Sequence, residues 1–334
     1  MSCYHPFYAV ELGIKDNGKR ALKILDYRPN DGQTHVYVGN KSYPVDKLIK
    51  LPCGQCIGCR IAYSKQWAAR CMMELESHDS AYFVTFTYDD GHVPLSWYSD
   101  PETGEAYQAM TLRKRDLQLL MKRIRRHFEN DHIRFFASGE YGDSTFRPHY
   151  HAILFGLHLT DLVPYKTVKE AGQYYTYYNS AELSGCWDKG FVVVGQVTYE
   201  SCAYVARYVM KKLKGKEAKF YQEHNIEPEF VNMSRRPGIA RDYYELHPGV
   251  FDFDYINLRT PDGGRKFRPP RYFKRLYELD EPARSAEMAA RARKLAIQLH
   301  DAKLKDTTLE SVELEEVEER NLKSRLKPLR RDLV

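Results

Sequence analysis

The sequence contains no apolar run long enough to cross a bilayer, and its first residues lack the pattern of a signal peptide. Cysteine and tryptophan are scarce, with seven and three residues among 334. These absences argue against a membrane protein and against a secreted domain held by disulfides. We therefore expect a soluble intracellular protein, whose length allows one large domain with appendages or two domains.

Tyrosine, in contrast, is abundant: the chain has 26 Tyr and 15 Phe, with a net formal charge of +6. Tyrosine rings beside Lys and Arg are typical of nucleic-acid surfaces, because rings stack on bases and cations pair with phosphates. Tyrosines that merely fill half-buried strand positions explain the composition equally well. Basic residues also crowd residues 259–275, which predicts either a contact with single-stranded nucleic acid or a proline-stiffened solvated loop.

Four of the seven cysteines lie close together in the sequence, three of them in Cys53-Gly-Gln-Cys56-Ile-Gly-Cys59. In a reducing compartment this spacing predicts thiolate ligands, most simply of a structural zinc ion. The fourth ligand would come from Cys71 on the following helix, or from Cys3 and His5 near the start. Reduced thiols in a tight turn and an iron-sulfur cluster are the alternatives.

The segment from Arg147 to Gly156 has the pattern of a strand, entered through a proline and left through a glycine. Successive side chains on a strand point to opposite faces, so His149 and His151 share one face while Tyr150 faces the other way. A hairpin with the preceding predicted strand, residues 133–139, brings Glu140 to the level of His149. Two imidazoles and one carboxylate leave coordination positions open for substrate, which suits Mg²⁺ or Mn²⁺. A satisfied polar strand and a solvated Glu140 are the alternatives.

A predicted helix from about residue 200 to 212 carries Tyr204 and Tyr208 one turn apart, with Lys211 or Lys212 one turn further along. A tyrosine with an ordinary pKa of about 10 is a poor nucleophile. It becomes effective when a metal polarises the phosphate under attack and a nearby cation stabilises the charge. Core packing is the alternative explanation of the pair.

The strand 82–88, the cluster of Glu140 with His149 and His151, and the Tyr204-X-X-X-Tyr208 helix occur in the order of the three motifs of HUH-superfamily rolling-circle replication initiators. More closely, four segments resemble replication initiation proteins of microviruses, particularly the gokushovirus group of single-stranded DNA phages. They are Cys53 to Cys59, Arg147-Pro-His-Tyr-His151, Tyr204-Val-Ala-Arg-Tyr208 and Met233-Ser-Arg-Arg-Pro-Gly-Ile239. The resemblance spans about residues 1–280.

The resemblance implies an α+β fold with a central antiparallel sheet flanked by helices, a Cys-rich N-terminal element and a helical C-terminal tail. It implies nicking of one DNA strand at an origin, a covalent 5′-phosphotyrosine link and a final joining step that circularises the product. His149 and His151 match the metal pair, and Tyr204 and Tyr208 match the two nucleophiles. The family draws its third metal ligand from varied positions, so Glu140 rests on the predicted hairpin alone.

The implied partners are a single-stranded DNA origin and the host replication helicase and polymerase, in the cytoplasm of a bacterial host. Several basic side chains are the candidates for DNA contact: Arg123, Arg126, Arg147, Arg207, Arg265, Lys266, Arg268 and Arg271.

We expect three consecutive parts: an N-terminal Cys-rich element over residues 1–80, a nicking domain over 81–280 and a charged helical tail over 281–334. A non-catalytic, zinc-containing DNA-binding protein is the alternative function, but it leaves the His and Tyr pairs as coincidence. A cupin-like metal enzyme also uses His-X-His, yet it requires a Glu soon afterwards, and residues 152–157 contain none.

Overall fold

The computed structural model of the chain describes residues 3–14, 20–30, 32–170, 173–207, 212–213, 215–260 and 263–326. The chain divides into two compact units, one formed by Met1–Ala62 with Tyr277–Val334 and the other by Tyr63–Leu276. The three-part division expected from the sequence stays a prediction, because compact units need not coincide with functional domains.

The strands are numbered in chain order: β1 (Phe7–Ile14), β2 (Arg20–Ile24), β3 (His35–Val38), β4 (Lys41–Pro44), β5 (Ile49–Leu51), β6 (Ala81–Tyr88), β7 (Leu95–Ser99), β8 (Ala106–Met110), β9 (Arg134–Tyr141), β10 (Pro148–Phe155), β11 (Val163–Glu170), β12 (Gln173–Asn179), β13 (Gly190–Gln196), β14 (Phe230–Met233), β15 (Ile256–Thr260) and β16 (Gly263–Phe267). The α-helices are α1 (Ile57–Leu75), α2 (Lys114–His127), α3 (Ala181–Trp187), α4 (Tyr199–Arg207), α5 (Lys219–Glu223), α6 (Arg241–Leu246), α7 (Arg271–Asp280), α8 (Pro282–Lys305) and α9 (Ser311–Leu326).

In the first unit, β1 pairs with both β2 and β5, and β3 pairs with β4. The strands enclose a small apolar cluster, Tyr8, Val10, Leu25 and Val36. Helix α9 is tied to the N-terminal part of this unit, since Glu315 forms an ion pair of 2.7 Å with Arg28 and Glu319 lies 3.0 Å from His5. The short strands expected in residues 1–50 and the helices expected after Glu281 are therefore present.

In the second unit, the described residues form a seven-stranded antiparallel sheet with the order β11-β12-β13-β6-β10-β9-β14. Strand β10 runs inside the sheet between β6 and β9, and every residue of it is buried. The predicted α+β class, with a large antiparallel sheet flanked by helices, a Cys-rich N-terminal cluster and C-terminal helices, is confirmed.

The two faces of the sheet differ in a way that the period of two along each strand explains. On β6, the buried residues Val84, Phe86 and Tyr88 alternate with half-buried residues that point to the other face. Tyr150 and Ala152 of β10 join the buried set in the main apolar core. The opposite face carries the two histidines, so one face builds the core and the other remains partly open.

Helix α2 covers the core face because its apolar residues recur at helical spacing. Four of them are buried, Leu117, Leu120, Met121 and Ile124, and each contributes about 1.5–3 kcal/mol by leaving water. The start of the helix is anchored by Tyr150, whose hydroxyl accepts from the Arg113 N–H at 3.0 Å and donates to the Arg113 carbonyl at 2.8 Å. Tyrosine thus serves here as a core residue, which is the simpler of the two explanations of its abundance.

Two sequence expectations need correction in this unit. Residues 259–275 are not a proline-stiffened loop: they contain the β15–β16 hairpin and the start of α7, because alternating apolar residues, Ile256, Leu258 and Phe267, are buried on one side. The helix expected from Ile61 begins earlier, at Ile57, so it starts inside the cysteine motif.

The segment Ser234–Ala240 is held by buried ionic contacts. The Glu74 carboxylate, 1% exposed, accepts hydrogen bonds from the Arg134 guanidinium and from the backbone N–H of Ala240. Burial opposes its ionisation, but the bonds from His78, Arg134 and Ala240 lower its pKa below the ordinary value of 4.5. A second anchor is Arg70, which is sandwiched between the Trp67 and Tyr272 rings and donates to the Ile239 carbonyl.

We expect Glu74→Ala to lower the free energy of unfolding by about 3–5 kcal/mol, because it leaves the buried Arg134 charge without its partner. Urea denaturation at neutral pH measures the change. Since the pKa of Glu74 is lowered by folding, its contribution is complete above pH 4.5 and is lost on further acidification. The matched control is Glu245→Ala, which removes an exposed ion pair with Arg241 and should cost about 0–1 kcal/mol. Equal losses in the two variants would contradict the assignment.

Candidate metal and tyrosine site

The two histidines and Glu140 meet on the open face of the sheet. Strand register places Glu140 directly opposite His149 across the β9–β10 ladder, and Ser138 opposite His151. The predicted hairpin and the common face of the two imidazoles are therefore both present. All three side chains are buried, and their ligand atoms lie within 4.8 Å of one another.

One carboxylate oxygen links the two rings: Glu140 Oε1 lies 2.7 Å from His149 Nε2 and 2.7 Å from His151 Nε2. The other nitrogen of each ring is also engaged. His149 Nδ1 lies 3.0 Å from the Arg147 carbonyl, and His151 Nδ1 lies 2.9 Å from Thr85 Oγ1. These outer contacts orient both rings so that their Nε2 atoms converge on the carboxylate.

The donor set fits a divalent cation. A carbonyl only accepts, so His149 Nδ1 carries the proton of that contact and the Nε2 lone pair of the neutral ring points into the site. Burial alone would raise the pKa of Glu140, but the contacts with His149 and His151 lower it to about 2. The carboxylate is therefore ionised at neutral pH and supplies the charge that a hard cation requires.

Tyr204 lies beside this cluster. Helix α4 packs against β9 and β10, and the Tyr204 ring meets the His151 ring edge-on, with centroids 5.1 Å apart at 79°. It makes a similar contact with Phe83, at 6.0 Å and 81°, and Phe83 in turn stacks on His151. The predicted tyrosine helix thus presents at least one phenol to the imidazole cluster.

The other predicted members of this helix are less accessible to description. Tyr208 and Lys211 lie outside the described residues, as does the side chain of Arg207. Lys212 lies in the wall of a cavity of about 770 Å³ that Arg113, Arg115 and Tyr221 also line. A catalytic role for Lys212 stays a prediction.

The cysteine cluster forms in the first unit, from Cys3, Cys53, Cys56 and Cys59. The Cys53 sulfur accepts from the backbone N–H groups of Gln55 and Cys56 at 3.4 and 3.3 Å. Burial opposes ionisation of the Cys53 thiol, but these N–H groups lower its pKa overall. Four sulfurs with one already disposed to thiolate form can hold a tetrahedral metal ion.

Cys71 is wrong as the fourth thiol of this cluster. It is buried beside Cys202, and burial raises its pKa well above the ordinary value. The physical reason is its place on α1, where the apolar stripe turns it into the core of the second unit. His5 is also engaged elsewhere, with Glu319.

Loss of both Cys53 and Cys56, as Cys53→Ser with Cys56→Ser, is expected to remove the bound metal and to lower the thermal midpoint. Serine hydroxyls do not replace thiolates, and a structural metal contributes folding free energy directly. Metal content by elemental analysis and a melting curve measure the two effects. Cys186→Ala is the matched control, because Cys186 is a thiol outside the cluster. A double variant that keeps its metal would disprove the site.

Several predicted DNA contacts are occupied within the protein. Arg123 pairs with Asp188 and donates to the Cys186 carbonyl, and Arg147 pairs with Asp90 and donates to the Tyr88 carbonyl. Arg265 pairs with Glu200 and lies over the Tyr199 ring. These arginines connect elements of the fold, so a role in DNA contact would require them to exchange partners.

The remaining candidates are more accessible. Arg126, Lys266, Arg268 and Arg271 have exposed side chains, and Arg268 lies 5.8 Å from the Tyr255 ring. Their contact with DNA stays a prediction.

Sequence reasoning missed Thr85, whose hydroxyl orients His151, and Phe83, which packs on both His151 and Tyr204. The alternation along residues 82–88 carried a signal for them, because it separates the buried Val84 and Phe86 from residues facing the other way. Only the pairing of β6 with β10 reveals that this other face is the histidine face.

In the described part of the chain, no helix is both long and apolar enough to span a membrane. Comparison with known proteins finds a family profile described as replication-associated protein ORF2, which matches residues 81–213. The matched range contains the acid, both imidazoles and Tyr204.

Individual relatives extend the similarity beyond that range. Replication-associated protein ORF2 of Spiroplasma virus 4 is 33% identical over 283 residues, covering 83% of this chain and 81% of the relative. Replication-associated protein VP4 of Bdellovibrio phage phiMH2K is 30% identical over 297 residues, covering 85% and 81%. Replication-associated protein ORF4 of Chlamydia phage 1 is 34% identical over 170 residues, covering 48% of this chain and 38% of the relative. No solved structure matches the chain.

Proposed function

Because this chain belongs to the family of replication-associated proteins of microvirus-like phages, we propose that it initiates replication by nicking single-stranded DNA at an origin. The reaction is a transfer of a DNA phosphate to tyrosine, followed by a joining step that closes the product into a circle. The observation that carries the proposal is the contact between the Tyr204 ring and His151, whose Nε2 shares the Glu140 carboxylate with His149.

In the proposed nicking step, the Tyr204 phenol loses its proton and its oxygen bonds to phosphorus. The bond from phosphorus to the 3′ oxygen breaks, and that oxygen takes up a proton and departs as a 3′-hydroxyl. A divalent cation such as Mg²⁺ or Mn²⁺, held by His149, His151 and Glu140, would polarise the phosphate under attack. The bond energy is kept in the phosphotyrosine link, so a later attack by a free hydroxyl can reverse the step.

The chain's own residues would set the geometry of this step. The Arg147 carbonyl and Thr85 hydroxyl hold the imidazoles, and Phe83 supports both His151 and Tyr204 by ring contacts. We propose Tyr208 as the second nucleophile and Lys211 or Lys212 as the cation, on the resemblance stated above. Host replication helicase and polymerase are the proposed partners after nicking, in the bacterial cytoplasm.

We propose a structural role for the cysteine cluster, with zinc as the ion. A thiolate set has no open position for substrate, in contrast to the His and Glu set. A zinc-containing DNA-binding protein without catalysis is the second candidate function, and the cysteine cluster is the observation that favours it.

The test is incubation of the purified full chain with Mn²⁺ and labelled circular single-stranded DNA from its own genome, followed by a denaturing gel. The proposal expects a metal-dependent adduct that survives denaturation. DNA binding without any adduct or nick, by a correctly folded protein, would favour the non-catalytic candidate.

A further inference from the structure

Phe191 lies in line with the metal-ligand candidates across the open face of the sheet. Strand register pairs Phe191 of β13 with Thr87 of β6, Thr87 with His149 of β10, and His149 with Glu140 of β9. Residues paired in this way point to the same face. Neighbouring strands are about 4.8 Å apart, so Phe191 lies two strands, about 10 Å, from His149.

Phe191 is exposed although its strand is internal. Its relative exposure is 66%, and among the described residues it makes no ring pair with another aromatic side chain. Its neighbours on the core face, Val192 and Val194, are buried. Burial of a phenylalanine in the core would stabilise the fold, so an exposed one beside the site needs another explanation.

The same face continues toward the β11 edge with rings and cations. Gly195 of β13 lacks a side chain where the Tyr177 ring lies, and a Cβ there would come within 3.3 Å of that ring. Lys166, paired with Tyr177 across the β11–β12 ladder, has its Nζ 5.7 Å from the Tyr177 ring centroid. Rings interleaved with cations suit a strand that carries both bases and phosphates.

Acidic side chains near this end of the sheet are engaged. Asp90, after β6, pairs with Arg147 at 2.6 Å, and Asp89 contacts His92 at 2.8 Å. Their charges are thus largely compensated, and the balance on the face beyond β13 favours a negatively charged occupant over an acidic peptide or a second basic chain.

We propose that Phe191 is a stacking platform for a base of single-stranded DNA, next to the phosphate that the site engages or one nucleotide removed. This inference rests on the proposed function for the identity of the strand. An aromatic face accepts any base, so Phe191 positions the strand and does not read its sequence. Transfer of phosphate to Tyr204 would then proceed on a strand held at two points, the cluster and the ring.

The experiment measures equilibrium binding of labelled single-stranded oligonucleotides from the genome, without added metal, by fluorescence anisotropy. Phe191→Ala should weaken binding by about 5- to 100-fold, the range for loss of one base-stacking ring. Phe191→Trp should retain affinity, since indole also stacks. The matched control, Phe253→Ala, removes an even more exposed phenylalanine, at 78%, and should bind as the wild type does.

A second arm tests stacking itself. In the wild type, one abasic nucleotide moved along the oligonucleotide should weaken binding at one position by a factor close to that of Phe191→Ala. In the Phe191→Ala protein the same abasic position should cause no further loss, because ring and base act as one pair. Unchanged thermal midpoints would show that the variants are folded.

Other outcomes overturn the proposal. Equal binding by wild type and Phe191→Ala, with no sensitive abasic position, would leave the ring without a base. A change of oligomeric state in Phe191→Ala, seen by sedimentation with DNA affinity retained, would assign the face to protein contact. Because binding is measured without cleavage, absence of a covalent adduct would defeat the nicking proposal while a positive abasic result still supports the platform.

Discussion

Phenylalanine at both Tyr204 and Tyr208 is expected to abolish the covalent protein–DNA adduct completely. The substitution removes the only group that can bond to phosphorus at each position and keeps the aromatic ring. At Tyr204 the ring contacts with Phe83 and His151 should survive, so the loss would be chemical and not structural. A denaturing gel of protein incubated with Mn²⁺ and labelled single-stranded DNA measures it.

The matched control is Tyr199→Phe on the same helix. Tyr199 contacts Arg265 and Phe267, not the histidine cluster, and the variant should form adduct normally. The single variants Tyr204→Phe and Tyr208→Phe then separate the two nucleophiles, because the one that acts first should be required for the initial nick. A double variant that still forms the adduct would eliminate both tyrosines as nucleophiles.

Removal of either imidazole, as His149→Ala or His151→Ala, is expected to reduce cleavage by about 100-fold or more. Loss of an outer contact to a metal ligand alone typically costs about 10–100-fold in metal affinity or activity, and loss of a ligand should exceed this. Binding of the oligonucleotide should persist, because phosphate contacts elsewhere supply much of the affinity. Parallel nicking and binding assays over a Mn²⁺ titration measure the two effects.

A companion variant tests the orientation of the ring. Thr85→Val removes the hydroxyl at His151 Nδ1 with little change of volume, and it should raise the Mn²⁺ concentration needed for half-maximal cleavage. His158→Ala is the control, since His158 bonds Asp131 and Asp79 outside the cluster. Full metal-dependent cleavage by both imidazole variants would contradict the assignment of the cluster.

The dependence on pH has a defined sign. Glu140, with its pKa lowered to about 2, remains ionised throughout the range in which the fold is usable. Weakened metal binding on acidification would therefore come from protonation of the imidazoles, which need a neutral nitrogen to bind. Activity should fall as pH is lowered, and added Mn²⁺ should shift the acidic limit of activity to lower pH.

The sequence by itself determined the local parts of the site. Alternation along a strand requires His149 and His151 to share a face, and a short hairpin requires Glu140 to lie opposite His149, because backbone periodicity and turn length act over a few residues. The same local reasoning predicted the Tyr204 helix and the amphipathic helix around Leu117. These features depend on neighbours in the chain.

Only the tertiary structure decided which distant residues meet them. Cys3, not Cys71, joins Cys53, because helical periodicity turns Cys71 into a core of which the sequence shows only one side. Arg147 lies against the Tyr88 carbonyl instead of standing free as a cation. Thr85 and Phe191 belong to the histidine face because β6 and β13 follow β10 in the sheet. Strand order is set by the packing of the whole core, and many orders satisfy the same alternating sequence, so this information is absent from any single segment.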